Sequence, residues 1–377
     1  MDPIIRSKRG FPLAGICVAV VCLLLTVGCV ISPRRTLGGG GGGTPTPTPS
    51  PTPTPNPAAT GKLYVIDSNT STSTLLRFDN AFTANNNATP AATIAGLNTT
   101  LISPSYIALD PAADRLYVAD TNDFSVVIFD KISTQNGTVN LTPTRVIAGN
   151  NTTLVKPTDL FFDRVRNELY VLDDPSILVF NVASLSAGLN NVAPARTLKT
   201  SSNTGMAAIF VDVASDRLFA ADLDGAIAIY DSASTLPTGA ITPSRSITGS
   251  NTQLANPAGI QLDGLGRLVV SNTGTQSLPP SITIYPASAI TAGVNPAPVA
   301  QISGSNTGFA SPMQIAVDTS GSGTLYLADA GAAKIAVYAN LNTATGNINA
   351  APNRSITGAS TGLTTGGPAG VAIDNTR

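Results

Sequence analysis

Carboxylates are the side chains in this chain best placed to do chemistry. Asp123, Asp174 and Asp224 fall in segments that differ from one part of the chain to the next, among Asn, Ser and Thr. Oxygen donors of this kind can hold calcium or hydrogen-bond a polar ligand. The usual partners for catalysis near neutral pH are scarce. There is no His in 377 residues, Glu168 is the only Glu, and the three cysteines, Cys17, Cys22 and Cys29, all lie in the first 30 positions. General acid–base work relies mostly on His or a tuned Glu, so no catalytic constellation emerges. Beyond Cys29 no thiol exists for a disulfide, a nucleophile or a metal. With a net charge of −1, no basic footprint for nucleic acid is present.

The first sixty residues read as an address and a tether. Arg6, Lys8 and Arg9 precede an uncharged, mostly apolar run from Phe11 to Gly28, which is the pattern of a secretory signal. The run ends Leu25-Thr26-Val27-Gly28-Cys29. This stretch resembles a bacterial lipobox, with Thr26 where Leu is preferred, and the resemblance implies that Cys29 carries a lipid. An uncleaved membrane anchor is the alternative, since 18 apolar residues just reach spanning length. In either case the rest of the chain is expected outside the cytoplasmic membrane, in the cell envelope or at its surface. Residues 29–60 then form a linker, with six glycines at 38–43 and TPTPTPSPTPTPNP at 44–57. Polyglycine swivels, while alternating proline holds extended polyproline II, roughly 43 Å for the second tract at about 3.1 Å per residue.

Residues 61–377 repeat. An apolar stretch ending in Asp recurs as PSYIALD, PTDLFFD, MAAIFVD, PAGIQLD, PMQIAVD and PAGVAID, closing at Asp110, Asp163, Asp212, Asp263, Asp318 and Asp374. Each is followed by a second apolar segment such as LYVAD or LYVLD, and by a third ending in Phe78, Phe129, Phe180, Tyr230, Tyr285 or Tyr338. A fourth has the form PTRVIAG or PSRSITG and leads into a polar loop. Four short strands in about fifty residues, punctuated by Gly, Asn, Asp and Pro, make an all-β chain and are the form of a propeller blade.

The two ends complete one another. Asp110 to Asp120, Asp163 to Asp173 and Asp212 to Asp222 are each ten positions, and so is Asp374 to Asp67 if Arg377 is joined to Gly61. The C-terminus thus supplies the first strand of the N-terminal blade. The expected fold is a six-bladed β-propeller of four-stranded blades, closed by that strand. Units of the form P-x-x-(I/V)-A-(L/V)-D…LYVAD…(F/Y)-D resemble NHL repeats. That resemblance implies a fold used by binding platforms, scaffolds and enzymes alike.

Residues common to every unit are expected to serve the unit. The strand-end Asp residues should accept hydrogen bonds from the next turn, the third-strand aromatics should pack between blades, and Arg145, Arg196, Arg245 and Arg354 should guard outer edges. Function is expected where units differ, on the loops joining second to third and fourth to first strands. Asp123, Phe124, Asp174, Asp224 and Phe309 are the candidate ligand-binding residues there. The favoured reading is a membrane-tethered, monomeric binding or scaffolding module for a protein, peptide or glycan. The alternative is a calcium-dependent, lactonase-like hydrolase with its site at the axial channel.

Overall fold

The computed structural model describes residues 60–69, 73–202 and 205–377. The leader, Cys29 and the linker up to residue 59 lie outside them. The described residues form six sheets, each built on four antiparallel strands, which follow chain order in every sheet but one. Blade 2 shows the pattern, with strands Pro104–Asp110, Arg115–Asp120, Ser125–Asp130 and Arg145–Ile147. Blade 3 runs from Pro157 to Lys199, blade 4 from Met206 to Ile247, blade 5 from Pro257 to Ser303 and blade 6 from Pro312 to Ile356. Leu116, Tyr117, Val118 and Ala119 are all buried, on both faces of the sheet, because each blade is sandwiched between two others. Continuous apolar runs therefore replace the alternation of a half-exposed strand.

Blade 1 is assembled from both ends of the chain. Its first strand is Pro368–Asp374, and its others are Lys62–Ser68, Ser73–Asp79 and Ala92–Ile94. Lys62 pairs with Asp374 and Asp67 with Pro368, and the Gly61 N–H donates to the Arg377 carbonyl at 2.8 Å. The ring closes as the arithmetic of the repeats required. The fold is a six-bladed β-propeller.

Six apolar cores fill the six gaps between adjacent blades. One joins Tyr64, Ile66 and Leu75 of blade 1 to Leu116, Val127 and Phe129 of blade 2. The last joins Tyr326 and Ile335 of blade 6 to Leu63, Val65 and Phe78 of blade 1. The six third-strand aromatics are all buried in these gaps, as expected.

The outer edge is built differently from the sequence reading. Each fourth strand is covered by a parallel segment from the next blade, so blades are not simply four-stranded. Gly137–Val139 lies on Ala92–Ile94, Gly188–Asn190 on Arg145–Ile147, and Gly346–Ile348 on Ala300–Ile302. Gly239–Ala240 lies on Leu198–Lys199, while Val294 and Asn86 make single bridges to Ile247 and Ile356. The belt runs round the ring and covers every outer edge.

The recurring arginines hold this belt, which corrects their reading as edge guards. Arg196 donates to the carbonyls of Ala233 (2.7 Å) and Leu236, Arg245 to Ile290 (2.6 Å), and Arg354 to Ala81 (3.0 Å) and Ala84 (2.6 Å). Arg145 reaches Leu185. Blades 1 and 5 use Arg77, in the third strand, and Arg267, just before the second, for the same task. The guanidinium fork suits a turn that offers several carbonyls at once.

An asparagine locks the belt at five junctions. The Asn140, Asn191, Asn295 and Asn349 side-chain oxygens accept the backbone N–H of Asn98, Asn151, Asn251 and Asn306 at 2.8–2.9 Å, and Asn87 accepts from Ser360. Each clip sits against a glycine. At Gly149, φ is +107° and a Cβ would stand 2.7 Å from Asn191, so only glycine leaves room. At the sixth junction both partners are missing, with Thr200 and Thr242 at the corresponding positions.

Candidate functional site

Local hydrogen bonding sets the loop face. First-strand Asp residues accept from the following turn, as Asp163 does from Val165 (2.8 Å) and Arg166 (3.1 Å). Second-strand Asp residues mostly do not, which is a correction, although Asp222 accepts the Asp224 N–H of its own turn at 3.4 Å. They reach back to the loop before the first strand, as Asp120 does to the N–H groups of Ile102 and Ser103, both at 2.7 Å. Asp329 and Asp67 act likewise, and Asn272 takes the role in blade 5. Loops from two connections are thereby tied into one surface at five of the blades.

Asp123 and Phe124 lie together on that surface, at the end of the turn between the second and third strands of blade 2. Asp123 accepts from the Ser125 hydroxyl at 3.1 Å and enters no ion pair among the described residues. It borders two hollows. One, of about 630 Å³, is lined by Ser73, Leu97, Leu101 and Ile102, and the other, of about 420 Å³, by Phe124, Asn150, Leu154 and Val155. Leu97, Ile102, Phe124 and Val155 are 96, 60, 54 and 67% exposed. Leu97, Ile102 and Val155 were not singled out from the sequence. The signal was available, because Ala255, Ala310 and Thr364 occupy the positions of Ile102 and Val155 in blades 5, 6 and 1.

The other candidates are elsewhere. Asp174 accepts the Met206 N–H at 2.9 Å and so closes the loop into blade 4. Asp224, in the corresponding turn of blade 4, has its carboxyl raised by burial and by the charge of Asp222. Phe309 is only half-buried but packed, edge-on to Tyr338 at 5.9 Å and beneath the Lys334 ammonium at 5.8 Å. The five candidates do not form a single cluster: Asp123 and Phe124 share the rim of blade 2, Asp174 closes the loop into blade 4, Asp224 stands exposed in its own turn, and Phe309 packs on Tyr338.

The axis carries a second polar group that sequence reading passed over. The third residue of each first strand is Tyr106, Asp159, Ala208, Gly259, Gln314 or Gly370, and Asp159, Gly259 and Gln314 among them line an axial cavity of about 200 Å³. The Tyr106 hydroxyl crosses from blade 2 to donate to the Ala258 carbonyl of blade 5 at 2.8 Å. Gln314 accepts from Val371 (2.9 Å) and Ile107, and donates to the Ile107 carbonyl (3.0 Å) and to Asp159. Asp159 accepts from Leu160 (2.8 Å) and Ile209 (2.7 Å). Side chains thus tie the first strands across the channel. Gly259 and Gly370 leave the space this needs, since a Cβ at either would stand within 3 Å of a neighbouring carbonyl. Among the described residues no group of three or more carboxylates, His or Cys is placed to hold a metal.

Asp159 has a testable consequence. Burial pushes its carboxyl up to about 7, against the pull of two backbone N–H donors. Its folded value is raised, so the fold binds a proton that the unfolded chain has already released. The stability cost is therefore absent below the ordinary carboxylate value, grows as pH rises, and is complete above about 7. The stability of the full chain from urea titration should fall across that window, by on the order of 4 kcal/mol from this group. Asp159→Asn should flatten the slope, even though one N–H loses its acceptor and the variant starts less stable.

No family model matches the chain, and no curated protein matches it either. Solved structures do. The crystal structure of a nidogen/laminin complex contains a chain similar over 82% of this one and 98% of itself, at 14% identity and a TM-score of 0.54. Hydrazine synthase of Kuenenia stuttgartiensis is similar over 79% of this chain and 80% of its own, at 17% identity and a TM-score of 0.47. Identities this low bear on the fold alone, and the second likeness is too loose to add to it.

Proposed function

We propose that the chain is an exported, lipid-anchored surface protein of NHL type, whose propeller docks a partner on the loop rim of blades 1–3. Phe124 carries the reading. It sits at φ +52°, in the left-handed region where a bulky residue is disfavoured by roughly 1–2 kcal/mol. The last residue of the same turn is Gly225 in blade 4 and Ala333 in blade 6, also at positive φ. The turn needs no aromatic ring there, and this ring is half exposed in the hollow that Val155 also lines, next to the one lined by Leu97 and Ile102. Retaining strain and exposed apolar area at one place fits selection for binding.

The tether supports the same reading. The chain enters the propeller at Gly61, beside Arg377, where other blades make their first-to-second turn. That is the side opposite the rim.

Both halves are tested in host cells with the full-length chain. Cys29→Ser should move the protein from the membrane to the soluble fraction and abolish fatty-acid labelling. A photo-reactive residue at position 102 should yield a discrete cross-linked complex, while one at Leu265, exposed in a first-to-second turn, should not. Equal yields from the two faces would refute the rim as the docking site.

A further inference from the structure

We infer that the occupant of this rim is an extended peptide segment of a partner protein, with a Lys or Arg between two apolar side chains three residues apart. The inference rests on the reading of the rim given above. Its first support is the arrangement of the two hollows. They belong to adjacent blades and share one border residue, Asp123. Leu97 and Ile102 supply apolar surface to the first, and Phe124 and Val155 to the second. Facing sheets pack about 10 Å apart, so the hollows repeat at roughly that interval. A polyproline II segment advances about 3.1 Å per residue with three residues per turn. Side chains at i and i+3 therefore point the same way about 9 Å apart, and would enter the two hollows together.

Charge supplies the second support. Asp123 stands on the partition with a serine hydroxyl as its side-chain hydrogen-bond partner, and no cation of the described chain pairs with it. Asp120 lies behind it, fully buried and committed to the N–H groups of Ile102 and Ser103. Burial raises the Asp120 carboxyl, and the neighbouring Asp123 charge adds to that rise. An arriving cation would relieve this acidic pair, whereas an arriving carboxylate would worsen it. Apolar anchors on either side of a desolvated ion pair are the usual make-up of a binding hot spot.

The test is selection of a phage-displayed library of random dodecapeptides on the full-length protein in detergent solution, with Leu265→Ser as the control protein. Peptides with Lys or Arg between apolar residues spaced by three should be enriched on both proteins. Their affinity should fall at least tenfold with Phe124→Gly and with Asp123→Asn, and Asp123→Lys should select acidic peptides instead. Enriched peptides that lose affinity with Phe124→Gly, but carry no cation and ignore Asp123→Lys, would overturn the inference and leave the rim standing. Peptides indifferent to every rim substitution would overturn both. No enrichment at all would overturn the peptide assignment, with the cross-linking experiment still deciding the rim.

Discussion

Removing residues 367–377 should abolish cooperative unfolding altogether. The segment supplies the first strand of blade 1, paired with the second from Lys62↔Asp374 to Asp67↔Pro368. Without it, a row of about six ladder bonds worth roughly 1 kcal/mol each disappears. Val371 and Ile373 leave the core between blades 6 and 1, at about 1.5–3 kcal/mol per large side chain. Gln314 loses the Val371 N–H at the axis, and Asp114 loses its ion pair with Arg377. The sum is of order 10 kcal/mol, comparable to the whole stability of an ordinary domain. A transposed chain gives the control. Because the Gly61 N–H already touches the Arg377 carbonyl, moving residues 367–377 to directly precede Gly61 should restore a cooperative transition. A truncated chain that still melts cooperatively would show that closure is dispensable.

Arg77→Leu is the point substitution expected to cost most. The side chain is 1% exposed, donates to the carbonyls of Ser133 (2.6 Å) and Gln135 (2.5 Å), and pairs with Asp79 at 2.8 Å. Leucine fills part of the volume but leaves half-buried carbonyls of the blade 2 turn and the Asp79 carboxylate without their donor, at about 1 kcal/mol or somewhat more each. A loss of about 3 kcal/mol in urea titration is expected. Arg245→Leu should cost only about 1 kcal/mol, since it leaves a single connector carbonyl and its partner Asp231 is 40% exposed. Arg77→Lys should recover little, because a point charge cannot serve two carbonyls and a carboxylate together. Equal losses at the two sites would contradict the belt-holding role.

These two results rest on parts of the fold that differ in how far the sequence reveals them. Closure is legible because the strand-end Asp residues recur ten positions apart in three units, and the same offset appears on joining the two ends. The arginines are visible but misleading. Their strand position is correct in blades 2, 3, 4 and 6, yet nothing in one repeat says that the next repeat lies over it. The belt is a contact between units, and its partners are 40–44 residues apart. One trace does exist: the single junction lacking the glycine also lacks the asparagine. The axis was missed for a related reason. Tyr106, Asp159 and Gln314 hold one repeat position, but attention to what recurs discards the position at which chemistry varies most. The rim was half visible. Asp123 and Phe124 stand out as departures from the repeat, whereas Leu97, Ile102 and Val155 read as ordinary loop hydrophobics until their exposure is known.

The claim that Phe124 is kept for binding and not for folding is tested most directly by Phe124→Gly, read for both in the same host cells. Glycine relieves the positive φ but loosens the unfolded chain, two effects of about 1 kcal/mol that oppose each other. The urea midpoint should therefore stay within about 1 kcal/mol of the parent, while cross-linking from position 102 falls at least tenfold. A variant that loses more than about 2 kcal/mol, or that cross-links as well as the parent, would contradict the account.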